Sequence, residues 1–181
     1  MNRKTLWFSL ILLLGAGLSI FLMIAREHQT EKTKPTGGVN AFMVQAKYVD
    51  YDKDGALHSQ LEANQMKHYV KQDTSLFTKP KILIYTEDRT PWYITSDYGK
   101  SQNGTKKVLL YSNVTLYQPP KPNHPETTIT TSELTVYPKR SFAETDKKVK
   151  IKRPGTVIHG KGIEANLKTG IVRLLTQSRG T

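Results

Sequence analysis

The chain has 181 residues, and its 27 Lys and Arg residues outnumber its 15 Asp and Glu residues, which gives a formal net charge of +12. It contains no cysteine, which excludes disulfides, thiolate metal sites and a cysteine nucleophile. The positive charge favours anionic partners, namely nucleic acid, anionic lipid headgroups or a phosphorylated glycolipid, although a merely basic and soluble surface would have the same composition.

An uncharged apolar run occupies residues 6–25. A helix of this length reaches ~30 Å, the thickness of the hydrocarbon core of a bilayer. A cleaved signal peptide is the alternative, but the run is longer than the usual ~7–15 apolar residues and lacks a small-x-small cleavage site. We predict one transmembrane helix, with residues 1–5 in the cytoplasm and the remainder exported. Within the helix, Gly15 and Ser19 form a small-x-x-x-small pair at which another membrane helix could pack, although small residues are also common in membrane helices generally.

Residues 26–40 are polar and include Gly37-Gly38, which predicts a flexible tether. Over residues 41–181, apolar and polar side chains alternate with period two, as they do in β-strands, and helical periodicity is absent. Turn dipeptides separate the alternating segments, namely Asp54-Gly55, Asn103-Gly104 and Pro154-Gly155. The sequence therefore predicts a single all-β domain after the tether.

An internal repeat organises this domain. Ile94-Thr95-Ser96 recurs 35 residues later as Ile129-Thr130-Thr131, and Val114-Thr115-Leu116 recurs at the same offset as Val149-Lys150-Ile151. Each unit would be two or three short strands that cannot bury their apolar side alone. Stacked units would form an elongated β structure with a continuous core along its axis and an open sheet edge at each end.

The alternation within each strand also assigns side chains to the interior. We predict that these are Phe77, Ile84, Ile94, Leu116, Ile129, Leu134, Val149 and Ile151. The last strand, Ile171 to Leu175, has no later segment to pair with. Its backbone groups should therefore accept a strand from a partner.

Few residues point to chemistry. Asp50 to Gly55 resembles the start of a calcium-binding loop, but Leu61 stands where the bidentate carboxylate is expected, so a hairpin turn is favoured. The five histidines lack zinc-ligand spacing, and no nucleophile elbow, phosphate-binding loop or dinucleotide fingerprint occurs. We predict no enzymatic activity, no cofactor and no metal site.

The densest basic segment is Lys147 to Arg153. As a strand, it would place Lys148, Lys150 and Lys152 on one face, opposite Val149 and Ile151. This face is either a solvated outer surface or a contact for the phosphates of an amphiphile. Sheets that bind nucleic acid usually interleave aromatic residues with basic ones, and this segment has none.

A series of short segments follows the anchor and the tether in a distinctive order and spacing. These segments are Asp54-Gly55-Ala56-Leu57, Leu61-Glu62-Ala63, Phe77-Thr78-Lys79-Pro80, Pro91-Trp92-Tyr93-Ile94-Thr95-Ser96, Leu109-Leu110-Tyr111-Ser112-Asn113-Val114, Ile129-Thr130-Thr131, Ala143-Glu144-Thr145-Asp146, Pro154-Gly155, Gly160-Lys161-Gly162 and Asn166-Leu167. Together with the anchor and the tether, they make essentially the whole chain resemble the LptC family of the lipopolysaccharide export system.

The resemblance implies a twisted antiparallel β-jellyroll of the OstA type in the periplasm, held at the inner membrane by a single span. Its interior would hold the acyl chains of lipopolysaccharide, in contact with the inward residues named above. The anchor would pack against the transporter subunits LptF and LptG, with Gly15 and Ser19 as candidate contacts. The N-terminal end of the jellyroll would receive lipopolysaccharide, and Ile171, Val172 and Leu174 at the C-terminal edge would join the bridge protein LptA. A membrane-tethered adaptor that binds only protein and a membrane-anchored nucleic-acid binder are the alternatives.

Overall fold

The computed structural model describes residues 38–122 and 125–180. The predicted anchor, residues 1–5 and most of the tether lie outside these residues, so they stay predictions. Within the part that is described, no helix is both long enough and apolar enough to cross a membrane.

The described residues form eleven antiparallel strands and two single-turn 3-10 helices, Val70–Gln72 and Pro138–Arg140. The strands are β1 (Ala41–Tyr51), β2 (Leu57–Tyr69), β3 (Thr74–Thr78), β4 (Lys81–Tyr85), β5 (Pro91–Thr95), β6 (Tyr98–Gln102), β7 (Lys107–Gln118), β8 (Thr127–Tyr137), β9 (Phe142–Arg153), β10 (Thr156–Asn166) and β11 (Ile171–Gly180). The predicted all-β class is confirmed, and the first described strand begins at Ala41.

One continuous sheet contains all of these strands. The N-terminal half of β2 pairs with β4 and its C-terminal half pairs with β3, while β7 pairs in the same divided way with β6 and β5. Strands β7 to β11 then follow in chain order. In the described part of the chain, the outermost strands are therefore β1, which pairs with β2, and β11, which pairs with β10.

The divided pairing folds the sheet into two layers around one core. The β4–β5 layer contains β4, β5 and the halves of the long strands that pair alongside them; the β3–β6 layer contains β3, β6 and the other halves. The long strands change layer at register shifts, which fall between Tyr111 and Val114 in β7 and between Thr131 and Thr135 in β8. An extra residue at such a bulge bends a strand and increases its twist. The bulges therefore form the closed corner of a jellyroll.

The corner also changes which residues point inward. In β8, Ile129 and Thr131 are buried before the bend, whereas Leu134 and Val136 are buried after it. Strict period two would place Ile129 and Leu134 on opposite faces, because five positions separate them. The register shift reverses the parity and brings both into the core.

Candidate functional site

The eight side chains predicted to point inward all lie in one hydrophobic core. Ile84, Ile94, Leu116, Ile129 and Leu134 have no exposed surface, and Ile151 is the most exposed of the set at 6%. The inward assignment is therefore correct for every one of them. Their contact with acyl chains stays a prediction.

A row of aliphatic side chains crosses the β4–β5 layer from strand to strand. Each member is the direct cross-strand partner of the next, in the order Leu61, Ile82, Ile94, Leu116, Ile129, Ile151 and Ile158. The row is continuous from β2 to β10, and the repeated sequence segments supply Ile94, Leu116, Ile129 and Ile151. The repeat thus encodes an apolar surface along the axis of the jellyroll, as predicted.

The aliphatic core of the described domain is closely packed, and most of its side chains have no exposed surface. The cavity beside Leu61 and Ile82 has a volume of about 10 Å³, which is enough for roughly one water molecule. A pocket that holds a small-molecule ligand usually has ~300–1,000 Å³. This cavity is too small for an acyl chain, so we expect acyl chains to enter this part of the core only if the two layers move apart.

Among the described residues, two polar contacts join the layers on the side opposite the corner. In the first, the backbone N–H of Glu87 in the β4–β5 turn donates to the carbonyl of Lys168 in the β10–β11 turn at 3.1 Å, and the side chains of these two residues form an ion pair. In the second, His58 of β2 lies 3.3 Å from the carbonyl of Pro138 and 3.4 Å from Ser141 Oγ. The side chains of Glu87 and Lys168 are well exposed, so their ion pair adds little stability. On this side of the jellyroll, few polar contacts between described residues hold the layers together. At the corner, the long strands themselves run from one layer into the other.

Charged side chains stabilise the corner. The Lys79 ammonium forms an ion pair with the Asp97 carboxylate, and Asn113 Nδ2 donates to the other carboxylate oxygen at 2.6 Å. The hydrogen bonds from Lys79 and Asn113 hold the pKa of Asp97 below its usual value. The bond to Asp97 raises the pKa of Lys79. Asp97 therefore stays ionised and ties β7 to the β3–β4 and β5–β6 connections.

Strand β11 forms the C-terminal edge of the described sheet, as the sequence predicted. Ile171 is 61% exposed, whereas Val172 and Leu174 are partly buried and pack against the core. Leu174 lies directly over Gly160 of β10, where any Cβ would stand only 2.6 Å from one Leu174 methyl group. The edge is therefore anchored by its inner side chains and keeps Ile171 on the surface. Docking of a partner at Ile171, Val172 and Leu174 stays a prediction.

The apolar surface of β1 was not among the features predicted from the sequence. Phe42, Met43, Val44, Tyr48 and Tyr51 are all large side chains that are more than two-fifths exposed. Exposed apolar groups on a sheet edge are typical of a surface that pairs with another chain. The consecutive apolar residues at 42–44 break the period-two pattern and are the signal that could have revealed this surface.

The basic segment lies on β9 as predicted. Lys148, Lys150 and Lys152 are exposed on the outer face, and Val149 and Ile151 are buried. Across the strand pair, Lys148 faces Lys161 and Lys150 faces His159, which extends the basic surface onto β10. Contact of this surface with phosphates stays a prediction.

The aspartate-rich segment before β2 is a turn. Asp52 Oδ1 accepts hydrogen bonds from the backbone N–H groups of Asp54 and Ala56, at 3.0 and 2.8 Å. Gly55 has φ +76°, a conformation that favours glycine. Asp52 therefore uses its carboxylate to hold the turn, in agreement with the hairpin interpretation.

Comparison with known proteins identifies sequence relatives. The family described as "Lipopolysaccharide-assembly, LptC-related" matches residues 9–181. The chain is similar to the "Lipopolysaccharide export system protein LptC" of Escherichia coli K12 and to that of Shigella flexneri. In both cases the two chains are 25% identical over 118 residues, which cover 63% of this chain and 60% of the relative.

A solved structure shares the fold. The chain is similar to LptH of Pseudomonas aeruginosa, described as the LptA homologous periplasmic component of the conserved lipopolysaccharide transport device, with a TM-score of 0.52 and 11% sequence identity. The similarity covers 68% of this chain and 93% of LptH. Because the sequence identity is only 11%, this similarity supports the jellyroll fold alone. The family match over residues 9–181 shows by itself that this chain belongs to the LptC-related family of lipopolysaccharide-assembly proteins.

Proposed function

We propose that the chain is a bitopic inner-membrane component of the lipopolysaccharide transport bridge. In this proposal, residues 6–25 span the membrane, the tether separates the span from the jellyroll, and the jellyroll lies in the periplasm. Lipopolysaccharide passes with its acyl chains between the two layers. The family membership and the names of the relatives support the substrate class.

The observation that carries the proposal is the aliphatic row. It offers apolar contact from β2 to β10, close to both outer strands, and therefore lies along the path from one edge to the other. Burial of apolar surface contributes roughly 25 cal/mol per Å² without any directional requirement. A chain of methylene groups can therefore move along such a row with similar contacts at each step.

In the proposal, the edge at β1 receives lipopolysaccharide and the edge at β11 passes it on. The exposed apolar side chains of β1 lie beside LptF and LptG and receive lipopolysaccharide from them, and Gly15 and Ser19 pack the anchor against transporter helices. Strand β11 pairs with a strand of LptA and passes lipopolysaccharide on. Backbone pairing at an edge requires no special side chain, because the N–H and C=O groups supply the hydrogen bonds.

Photo-crosslinking in cells tests the proposal. A benzophenone side chain replaces Ile158, a half-buried member of the row that can accept extra volume at the end of the core. Tyr93 is the matched control, because it is 46% exposed and points away from Ile94 on the same layer. We expect lipopolysaccharide adducts at position 158 and none at position 93. Adducts at position 93 alone would contradict the proposed path.

A purely structural adaptor is the second candidate, and the close packing of the core favours it. An adaptor would bind transporter and bridge proteins through its edges while its layers stay closed. Crosslinks to proteins from positions on β1 and β11, with no lipopolysaccharide adduct from position 158 or from Met66 at the other end of the core, would favour the adaptor.

A further inference from the structure

A small cavity lies between the two layers on the side opposite the corner. Its volume is about 60 Å³, and it is lined by Trp92, Gln118, Pro125, Thr127, Arg153, Gly170 and Val172. Trp92 and Gln118 belong to the β4–β5 layer, whereas Gly170 and Val172 come from the β10–β11 hairpin of the other layer. A group bound here would therefore contact both layers.

Two buried donors line this cavity without an acceptor. Trp92 is 1% exposed and Gln118 is 5% exposed, yet within residues 38–122 and 125–180 neither the Trp92 indole Nε1 nor Gln118 Nε2 has a hydrogen-bond partner. An indole N–H can only donate, and a buried donor that lost its water is costly unless it finds an acceptor. Native proteins leave few such groups without a reason.

The remaining lining side chains do not supply that acceptor. The Arg153 guanidinium adds further donors and a positive charge, and in the described residues it makes no ion pair. Thr127 Oγ1 donates to the Pro125 carbonyl at 3.2 Å and accepts from neither of the two buried donors, and no carboxylate side chain lines the cavity. The site thus combines a neutral N–H, an amide NH₂ and a cation around one small space.

We propose that this cavity binds a single oxyanion group, a phosphate or a carboxylate, through Trp92 Nε1, Gln118 Nε2 and Arg153. Its volume is several times that needed for one water molecule, which leaves room for one such group. Oxyanions accept several hydrogen bonds at once, and bonds from an Arg to such a group are stronger than neutral ones. The phosphate of a lipid headgroup and free inorganic phosphate share this chemistry. Only the assignment to a lipid headgroup rests on the proposed function.

The indole N–H of Trp92 provides a direct readout. The chain has two tryptophans, so a Trp7→Phe variant of the full chain in detergent micelles leaves Trp92 as the single indole. Sodium phosphate is titrated at constant ionic strength while the ¹⁵N–¹H indole resonance is recorded. We expect a saturable shift that sodium chloride does not produce. A resonance that does not respond to phosphate would mean that the cavity holds only water and would overturn the proposal.

Matched variants test the assignment of residues. Arg153→Gln should weaken phosphate binding by about tenfold or more, because a hydrogen bond to a charged group is lost. Lys152 and Arg153 are both exposed, but only Arg153 lines the cavity, so Lys152→Gln removes the same charge one residue away and should change binding by less than about twofold. Equal weakening in the two variants would indicate general charge attraction and would refute the site.

A second titration separates the two sources of the group. Micelles containing phosphorylated lipid A are compared with micelles containing dephosphorylated lipid A. If the phosphorylated form alone shifts the Trp92 resonance and competes with free phosphate, the site holds a lipid headgroup. If free phosphate binds and neither lipid shifts the Trp92 resonance, the site binds a free anion. The crosslinking experiment at position 158 tests the path of lipopolysaccharide separately and does not depend on this result.

Discussion

The contact between Glu87 and Lys168 provides a direct test of whether the layers must separate. A hydrogen bond of 3.1 Å joins the backbone N–H of Glu87 to the Lys168 carbonyl, so the two positions are neighbours of the kind that a disulfide can bridge. The chain has no cysteine of its own. A Glu87→Cys, Lys168→Cys double variant therefore introduces one defined covalent bond between the β4–β5 and β10–β11 turns.

The magnitude of the effect follows from the chain length between the two positions. A disulfide that closes a loop of about 80 residues restricts the unfolded chain and stabilises by about 4.5 kcal/mol in the chain-entropy model. For a domain of this size, that corresponds to a melting temperature about 15 °C higher. The same bond prevents separation of the layers on this side, so we expect the oxidised protein to capture at most a tenth of the lipopolysaccharide captured by the reduced protein.

The assay measures lipopolysaccharide retained by the purified full chain in detergent, with and without a reducing agent. The control is a Thr115→Cys, Thr130→Cys variant, whose cysteines are cross-strand partners on β7 and β8 within one layer. That disulfide closes a loop of about 15 residues and stabilises by about 3 kcal/mol without joining the layers. Equal capture by the oxidised and reduced forms of the Glu87, Lys168 variant would refute the claim that the core must open on this side.

Three further predictions concern the edge, the corner and the anchor. Val172→Pro removes a backbone N–H from β11, so a pull-down with this variant should recover much less LptA. The control Arg173→Ala keeps the N–H and should recover as much LptA as the unmodified chain does. Equal recovery by both variants would mean that the partner binds at another surface. Because Lys79 and Asn113 hold the pKa of Asp97 low, its ionised form adds stability that is present above the unfolded pKa of about 3.9 and is lost as the pH falls through the folded pKa. Asp97→Asn should therefore make the melting temperature fall less steeply as the pH is lowered into the acid range. An unchanged dependence on pH would contradict this. The mass of the membrane-extracted protein should include residues 1–25, and a product lacking them would mean that the apolar run is a cleaved signal.

The inward residues were predictable because strand periodicity alone specifies them on either side of a bend. Trp92 could have been added to the predicted core on the same ground, since it lies two positions before Ile94 and is equally buried. Gln118 could not, because a polar side chain at the end of a strand normally points to solvent. Its burial depends on the β10–β11 turn, which is some fifty residues away in sequence and lies over it only in the folded sheet.

The corner was also beyond prediction from local patterns. Ser112 and Asn113 both have positive φ where β7 bends, but the run from Leu109 to Val114 contains no glycine or proline to mark the position. Gly162, with φ +76°, and Asn113, with φ +54°, are corner residues whose identities fit their conformations, whereas Ser112 does not. The pairing of β2 with both β3 and β4 demands these bends, and that pairing is a property of the whole sheet.

The close packing of the core and the proposed passage of acyl chains are compatible because the same contacts serve both. Separation of the layers exposes apolar side chains of the aliphatic row, at a cost of roughly 25 cal/mol per Å². An acyl chain that occupies the opened space covers that surface again and is itself removed from water, so the exchange of side-chain contacts for lipid contacts has a small net free energy. The free energy of opening is then set mainly by the polar contacts at Glu87, Lys168 and His58, which are few and partly exposed. Substitutions that strengthen those contacts should raise the stability of the empty domain and slow its loading, whereas substitutions at the corner should affect stability alone.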